Sequence, residues 1–183
     1  MSFAKEPRRL WSAFHRYSIG SVLRGLLLRR HFTSAGLILQ SGGNPLPRID
    51  NKGRLESQMC TLWAGVRLEI AKNGHLSIGR GTYLNRNAAV VCHNRVSIGA
   101  GCKIAYDVVI MDTDEHEVPG GGPISEPVTI GDGVWLGARV IVLKGVTIGD
   151  GAIVGAGSIV THDLPPRAIA VGQPARVVRI YEP

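Results

Sequence analysis

The stretch Ile130-Gly-Asp-Gly-Val-Trp-Leu136-Gly-Ala-Arg-Val-Ile-Val142-Leu-Lys-Gly-Val-Thr-Ile148-Gly-Asp-Gly-Ala-Ile-Val154-Gly-Ala-Gly-Ser-Ile-Val160 carries a branched aliphatic residue at every sixth position. An amphipathic helix repeats its apolar residues three and four apart and a half-buried strand two apart, so a strict period of six matches neither. It is the period of a repeating structural unit. Between the aliphatics stand mostly Gly, Asp, Ala and Ser. These suit a short strand closed by a tight bend, because Gly accepts backbone angles that other residues avoid and Asp stabilises turns. Short strands joined by regular corners wind into a solenoid, whose coils bury apolar side chains only by stacking on one another. Six such positions in unbroken register make two three-sided coils.

Upstream the same period returns in two triplets, Ile78, Leu84, Val90 and Ile98, Ile104, Ile110, with two extra residues at the corner around Cys92 to Arg95. Ile49, Leu55, Val66, Leu68, Ile70 and Leu76 read as irregular early coils, preceded by a turn-rich linker over residues 41–48. Register is lost between Ile110 and Ile130. There residues 111–127 hold Asp112, Asp114, Glu115 and Glu117 and then a Gly/Pro run without periodicity, so the segment must leave the coils as a loop. Long loops on rigid scaffolds are where binding and catalysis concentrate. The expected organisation is a basic amphipathic N-terminal segment and linker over residues 1–45, a solenoid over 46–164 with an excursion loop at 111–127, and a tail over 165–183.

Composition agrees with thin coils. The 183 residues are 44% hydrophobic but only 5% aromatic, with 24 Gly, as suits an interior with room for aliphatics and little for rings. Residues 1–54 hold ten Lys and Arg against two acids, while the rest holds eleven against twelve, so the net charge of +7 comes from the N-terminal third. There Leu10, Trp11, Phe14 and Tyr17 share one helical face opposite Arg8, Arg9, His15 and Arg16. After a break expected at Gly20, Val22, Leu23, Leu26 and Leu27 repeat the spacing beside Arg24, Arg29 and Arg30. Two readings stand open for residues 8–31: a cap over the apolar end of the solenoid, or peripheral contact with an anionic membrane. A nucleic-acid partner is not expected, because no nucleic-acid module accompanies the charge. Cys60, Cys92 and Cys102 are scattered and odd in number, which reads as reduced and cytoplasmic. No apolar run has the length of a signal or a membrane span.

The runs Pro127-Val-Thr-Ile-Gly-Asp-Gly-Val-Trp135-Leu-Gly and Gly145-Val-Thr-Ile-Gly-Asp-Gly-Ala-Ile-Val-Gly-Ala-Gly-Ser-Ile-Val-Thr161 resemble the hexapeptide-repeat acyltransferases, with the maltose, galactoside and exopolysaccharide O-acetyltransferases most similar. The resemblance covers roughly residues 46–180 and includes the terminal Gly172-Gln-Pro174-Ala-Arg176 segment. It implies an all-β fold, a left-handed parallel β-helix, and a homotrimer. It also implies transfer of an acetyl group from acetyl-coenzyme A to a sugar hydroxyl, without a metal.

Such a transfer needs a base for the hydroxyl proton, and histidine titrates closest to working pH. Of six histidines, His116 alone sits in the excursion loop. By composition it is a surface histidine; by resemblance, Ile110-Met-Asp112-Thr-Asp114-Glu-His116 matches the loop that supplies the family's catalytic base. Asp114 stands slightly ahead of Asp112 as the acid that orients it. Asn85, in Tyr83-Leu-Asn85-Arg-Asn87, matches the asparagine that contacts the acceptor hydroxyl, although asparagines also favour solenoid corners, the reading that suits Asn87 better. For the donor, the resemblance carries coenzyme contacts onto Ala138, Ala156, Thr161 and His162 and a phosphate contact onto Arg176, with His162 standing where relatives often carry Lys. Lys144 and Arg139 are supplementary phosphate partners on the same reading, and Trp135 covers either the adenine or a neighbouring subunit. The acceptor fits a polysaccharide or lipid-linked saccharide, because the N-terminal domain of the maltose enzymes is not recognisable here.

Two other readings compete. A non-catalytic β-helix scaffold would keep the fold and fail to bind coenzyme A. A β-helix zinc enzyme would draw ligands from His75, His93, His116 and His162, which are widely spaced; His75 and His93 would have to stack across the insertion.

Overall fold

The computed structural model describes residues 19–41, 43–117, 119–120 and 122–182; the amphipathic stretch at 8–18 lies outside them. The coil strands pair in parallel and succeed one another around three faces of a left-handed β-helix, and only the last pair, Ala168–Gly172 with Ala175–Ile180, is antiparallel among the described strands. The third face holds six strands: Arg48–Asn51, Arg67–Ile70, Ala89–Cys92, Val109–Met111, Ile141–Val142 and Ile159–Val160. The first and second faces are joined through one long strand, Arg54–Trp63, whose beginning pairs with His75–Ile78 on the first face and whose end pairs with Thr82–Leu84 on the second. This strand turns the corner at Gln58 and Met59, between its pairing through Ser57 on the first face and from Cys60 on the second.

The hexad residues stack as the period requires. Ile78, Ile98, Ile130 and Ile148 form the inner ladder of the first face. Leu84, Ile104, Leu136 and Val154 form that of the second, and Val90, Ile110, Val142 and Val160 that of the third. All are at most 3% exposed, and burial of each stabilises the fold by roughly 1.5–3 kcal/mol. The glycines between them are needed where coils touch: a Cβ on Gly149 would lie 2.4 Å from the Pro166 nitrogen. On that same edge the Asp150 carboxylate accepts from the Asp132 amide at 2.8 Å, and the Asp132 carboxylate accepts from the Ala100 amide at 2.7 Å. The recurring Gly-Asp-Gly is thus a corner in which glycine permits close approach and aspartate ties one coil to the next.

A helix, a short 3-10 turn at Arg29–His31 and one strand precede the coils among the described residues. Ser34–Ser41 is a strand paired in parallel along Arg54–Trp63; period reading did not mark it, because its inward positions include a polar residue, Gln40, beside Ile38. The helix Ile19–Leu28 lies against this strand through Ser21, Gly25 and Leu28. Contact is so close that a Cβ on Gly25 would sit 1.8 Å from the Ile38 carbonyl oxygen. Gly20, where a break is expected, is the second residue of this helix, and the residues before Ile19 lie outside those described. Arg24 Nε donates to Gln40 Oε1, and Gln40 Nε2 donates to the Gly43 carbonyl at 3.2 Å, so the buried amide is paired.

Candidate active site

The excursion leaves the prism at the edge between the third and first faces. It is a hairpin: Thr113 and Ser125 form an antiparallel bridge, the Asp114 amide donates to the Ile124 carbonyl at 2.9 Å, and the Glu126 amide donates to the Asp112 carbonyl at 2.9 Å. Asp112, fully buried, accepts the amides of His93 at 2.7 Å and Asn94 at 2.8 Å. These two hydrogen bonds therefore tie the two-residue insertion in the preceding coil to the root of the loop. Asp114 instead meets Lys144, whose Nζ is 2.5 Å from Asp114 Oδ2 and donates to the Pro123 carbonyl at 2.5 Å. Lys144, weighed from sequence as a phosphate partner, anchors the loop. His116 is exposed two residues beyond Asp114, and its ring is bonded to neither acid among the described residues.

Asn85 lies at a different edge, between the second and third faces, half-buried, with its Oδ1 accepting the Arg86 amide at 2.8 Å. Amide-to-carbonyl bonds from Asp107 to Arg86, Arg139 to Tyr106 and Gly157 to Ala138 align successive corners on this edge. They place Ala138 and Ala156 in one column below the Asn85 corner. Asn87, Asp107 and Arg139 occupy its left-handed corner positions, with φ of 60°, 58° and 59°. Asn87 Nδ2 donates to Asp107 Oδ1 at 3.1 Å, which gives Asn87 the corner role read for it. The column ends at the tail: the hairpin of Ala168–Gly172 with Ala175–Ile180 is tied to it by Gln173 Nε2 donating to the Gly157 carbonyl and the Gly172 amide donating to Ser158 Oγ. Arg176 is exposed beside that turn. Trp135, 48% exposed, stands on the outer side of the second face in register with Lys103 and Ile153.

Thr161 and His162 lie on the loop's edge, two coils further on, with Thr161 Oγ1 and His162 Nδ1 2.8 Å apart. The residues read from sequence thus fall into two groups. Asn85, Ala138, Ala156 and Arg176 belong to one edge; Asp114, His116, Thr161 and His162 belong to the other. One face separates them, roughly 15–20 Å of extended chain, whereas two residues beyond anchored Asp114 reach at most about 7 Å. Within one chain, no hydrogen bond among the described residues joins Asn85 to His116.

Other chemistry is restricted. Burial pushes the Cys60 thiol up to about 11 and the Cys92 thiol up to about 12, and raises that of Cys102, so none supplies a thiolate near neutrality. Among the described residues no group of three or more His, Cys, Asp or Glu could hold a metal ion. His75 pairs in register with Arg95, not His93, and its Nε2 lies 3.0 Å from Glu56 Oε2. A surface concavity of about 450 Å³ lies along the first face and its edge with the second, beside Ser57, Arg80 and Asp132, and is lined by none of the candidate catalytic or coenzyme-contacting residues.

A family model described as the hexapeptide repeat of succinyl-transferase matches residues 127–162. The galactoside O-acetyltransferase of Escherichia coli (strain K12) is 40% identical over 121 residues, 64% of this chain and 60% of that protein. Nodulation protein L of Rhizobium meliloti (strain 1021) is 45% identical over 107 residues, 56% of this chain and 58% of that one. The matches thus span about three fifths of these relatives' own lengths. Among solved structures, a galactoside acetyltransferase in complex with coenzyme A superimposes with a TM-score of 0.61 at 30% identity, covering 94% of this chain and 78% of that one.

Proposed function

The chain belongs to the hexapeptide-repeat acyltransferases, and from that premise we propose that it moves an acetyl group from acetyl-coenzyme A to a hydroxyl of a sugar in a polysaccharide or lipid-linked saccharide. The observation that carries this reading is the division of the site between two edges of one prism. A neighbouring copy supplies the missing half when the loop edge of one chain meets the Asn85 edge of the next. The face between the two edges suits this: its outer positions Val109, Ile141 and Ile159 are half-exposed aliphatics in one ladder, whereas Ser97, Thr129 and Thr147 line the outside of the first face. A homotrimer would bury the apolar face three times and form three equivalent sites.

In each site Asn85 holds the acceptor hydroxyl and His116 removes its proton as the oxygen attacks the thioester carbonyl. The carbon–sulfur bond breaks, and the imidazolium returns its proton to the leaving thiolate of coenzyme A. Asp114 acts through the loop, and backbone amides beside Ala138 and Ala156 receive the pantetheine arm, with Thr161, His162 and Arg176 toward the nucleotide. Direct transfer fits a chain whose three cysteines are buried and protonated. Their unpaired state also fits a cytoplasmic enzyme working on an acceptor presented at the membrane.

Calorimetric titration with acetyl-coenzyme A tests the donor half without knowledge of the acceptor. Saturable binding that weakens in Arg176→Ala is expected. Absence of binding by the folded chain at sub-millimolar donor would move the assignment to a scaffold.

A further inference from the structure

The helix Ile19–Leu28 presents the wrong side to the protein for a simple cap. Its small residues face inward, while Ile19, Leu23, Leu26 and Leu27 are 82%, 57%, 51% and 64% exposed. The spacing i, i+4, i+7, i+8 sets these four on one continuous outer stripe. Scattered surface leucines need no explanation, but a stripe of four on a ten-residue helix does. Cations flank it: Arg29 and Arg30 follow directly and are exposed, Arg24 stands on its flank, and no acid occurs between Ile19 and Ala35.

Charge decides what covers this stripe. A second copy seated on it would bring two such arginine clusters together. The chain's own residues 1–18 carry Lys5, Arg8, Arg9 and Arg16 against one acid and would add to the repulsion. An anionic bilayer meets both demands, since leucines sink to the level of the acyl chains while arginines stay among lipid phosphates. We propose that the outer side of this helix is a membrane-adsorption surface for anionic phospholipid, with Ile19, Leu23, Leu26 and Leu27 inserted and Arg29 and Arg30 at the headgroups. Coil stacking puts the helix at the N-terminal end of the solenoid. In the proposed trimer three helices face the same way, so three weak contacts act as one. Adsorption does not depend on the transfer reaction: vesicle binding and acetyl-coenzyme A binding fail separately.

The full chain is sedimented with vesicles of phosphatidylglycerol and phosphatidylcholine and with vesicles of phosphatidylcholine alone. Binding to the anionic vesicles, with a partition at least about tenfold weaker to the neutral ones, is expected from two arginines near the surface. Arg29→Glu/Arg30→Glu should abolish that preference. Leu23→Gln/Leu26→Gln/Leu27→Gln, whose changes lie outside the packed side, should lose binding at an unchanged melting temperature. Failure of the full chain to bind anionic vesicles would overturn the proposal. So would retained binding by the leucine variant, or a fall in its particle mass on analytical ultracentrifugation, which would identify a second copy as the occupant.

Discussion

Lys144 holds Asp114 across the root of the excursion loop, its Nζ 2.5 Å from the carboxylate and also donating to the Pro123 carbonyl on the opposite strand of the hairpin. One cation therefore clamps both arms two residues from His116. Lys144→Met keeps the aliphatic stem and removes the clamp. Ion pairs at this exposure are worth about 1 kcal/mol or less, so kcat should fall about fivefold while acetyl-coenzyme A affinity stays unchanged. Steady-state kinetics beside calorimetry separates the two effects. A donor affinity that fell with kcat unchanged would return Lys144 to the phosphate role read from sequence.

Asp112 and Asp114 are alike in sequence and different in the fold. Asp112→Ala would remove the buried carboxylate that accepts the amides of His93 and Asn94, at about 1–1.5 kcal/mol for each lost hydrogen bond. Asp114→Ala exposes its partner to water and should cost under about 1 kcal/mol. Urea denaturation of both variants checks the order. Equal losses would mean that the Asp112 cap contributes nothing beyond a surface ion pair.

This contrast marks what the sequence could and could not carry. The solenoid was legible because a six-residue period is enforced by stacking: Leu136 must fall on Ile104 and Val154, whatever else changes. Handedness rested on resemblance. The strand Ser34–Ser41 was illegible, because its core-facing Gln40 is satisfied by Arg24 and Gly43, partners that only the fold assembles. The candidate site residues stood in motifs, but their separation onto two edges was not readable, since period alone does not say which corner faces which neighbour. Asp112 gave no local sign of being buried.

The thiols predict an alkaline limit. Cys60 is raised to about 11 and Cys92 to about 12, mainly by desolvation. The folded chain thus holds protons that the unfolded chain releases above its ordinary thiol range. The unfolded state then binds fewer protons, and stability falls as pH rises from about 9, by up to roughly 1.4 kcal/mol per pH unit for each thiol. Below pH 9 these groups add no slope. Chemical denaturation from pH 8 to 11 should show the decline, and Cys60→Ala should reduce its slope even where packing loss lowers the whole curve. An unchanged slope would assign the alkaline loss to other groups.

The division of the site predicts complementation. His116→Ala removes the proposed base, and general-base catalysis contributes about 10²–10⁴-fold; Asn85→Ala removes the proposed acceptor contact at the other edge. Each variant alone should be nearly inactive in every site. Unfolded together in equal amounts and refolded, they should assemble mixed copies of the proposed trimer. A site is then whole when an Asn85→Ala chain contributes its intact loop edge and a His116→Ala chain its intact Asn85 edge. With random assembly and cyclic symmetry this holds for about a quarter of sites, so the mixture should recover about a quarter of the activity of refolded wild type. No recovery, with mixed trimers shown by mass spectrometry, would mean that both residues act within one chain. The separation of the two edges across the third face would then have to be closed by movement of the loop.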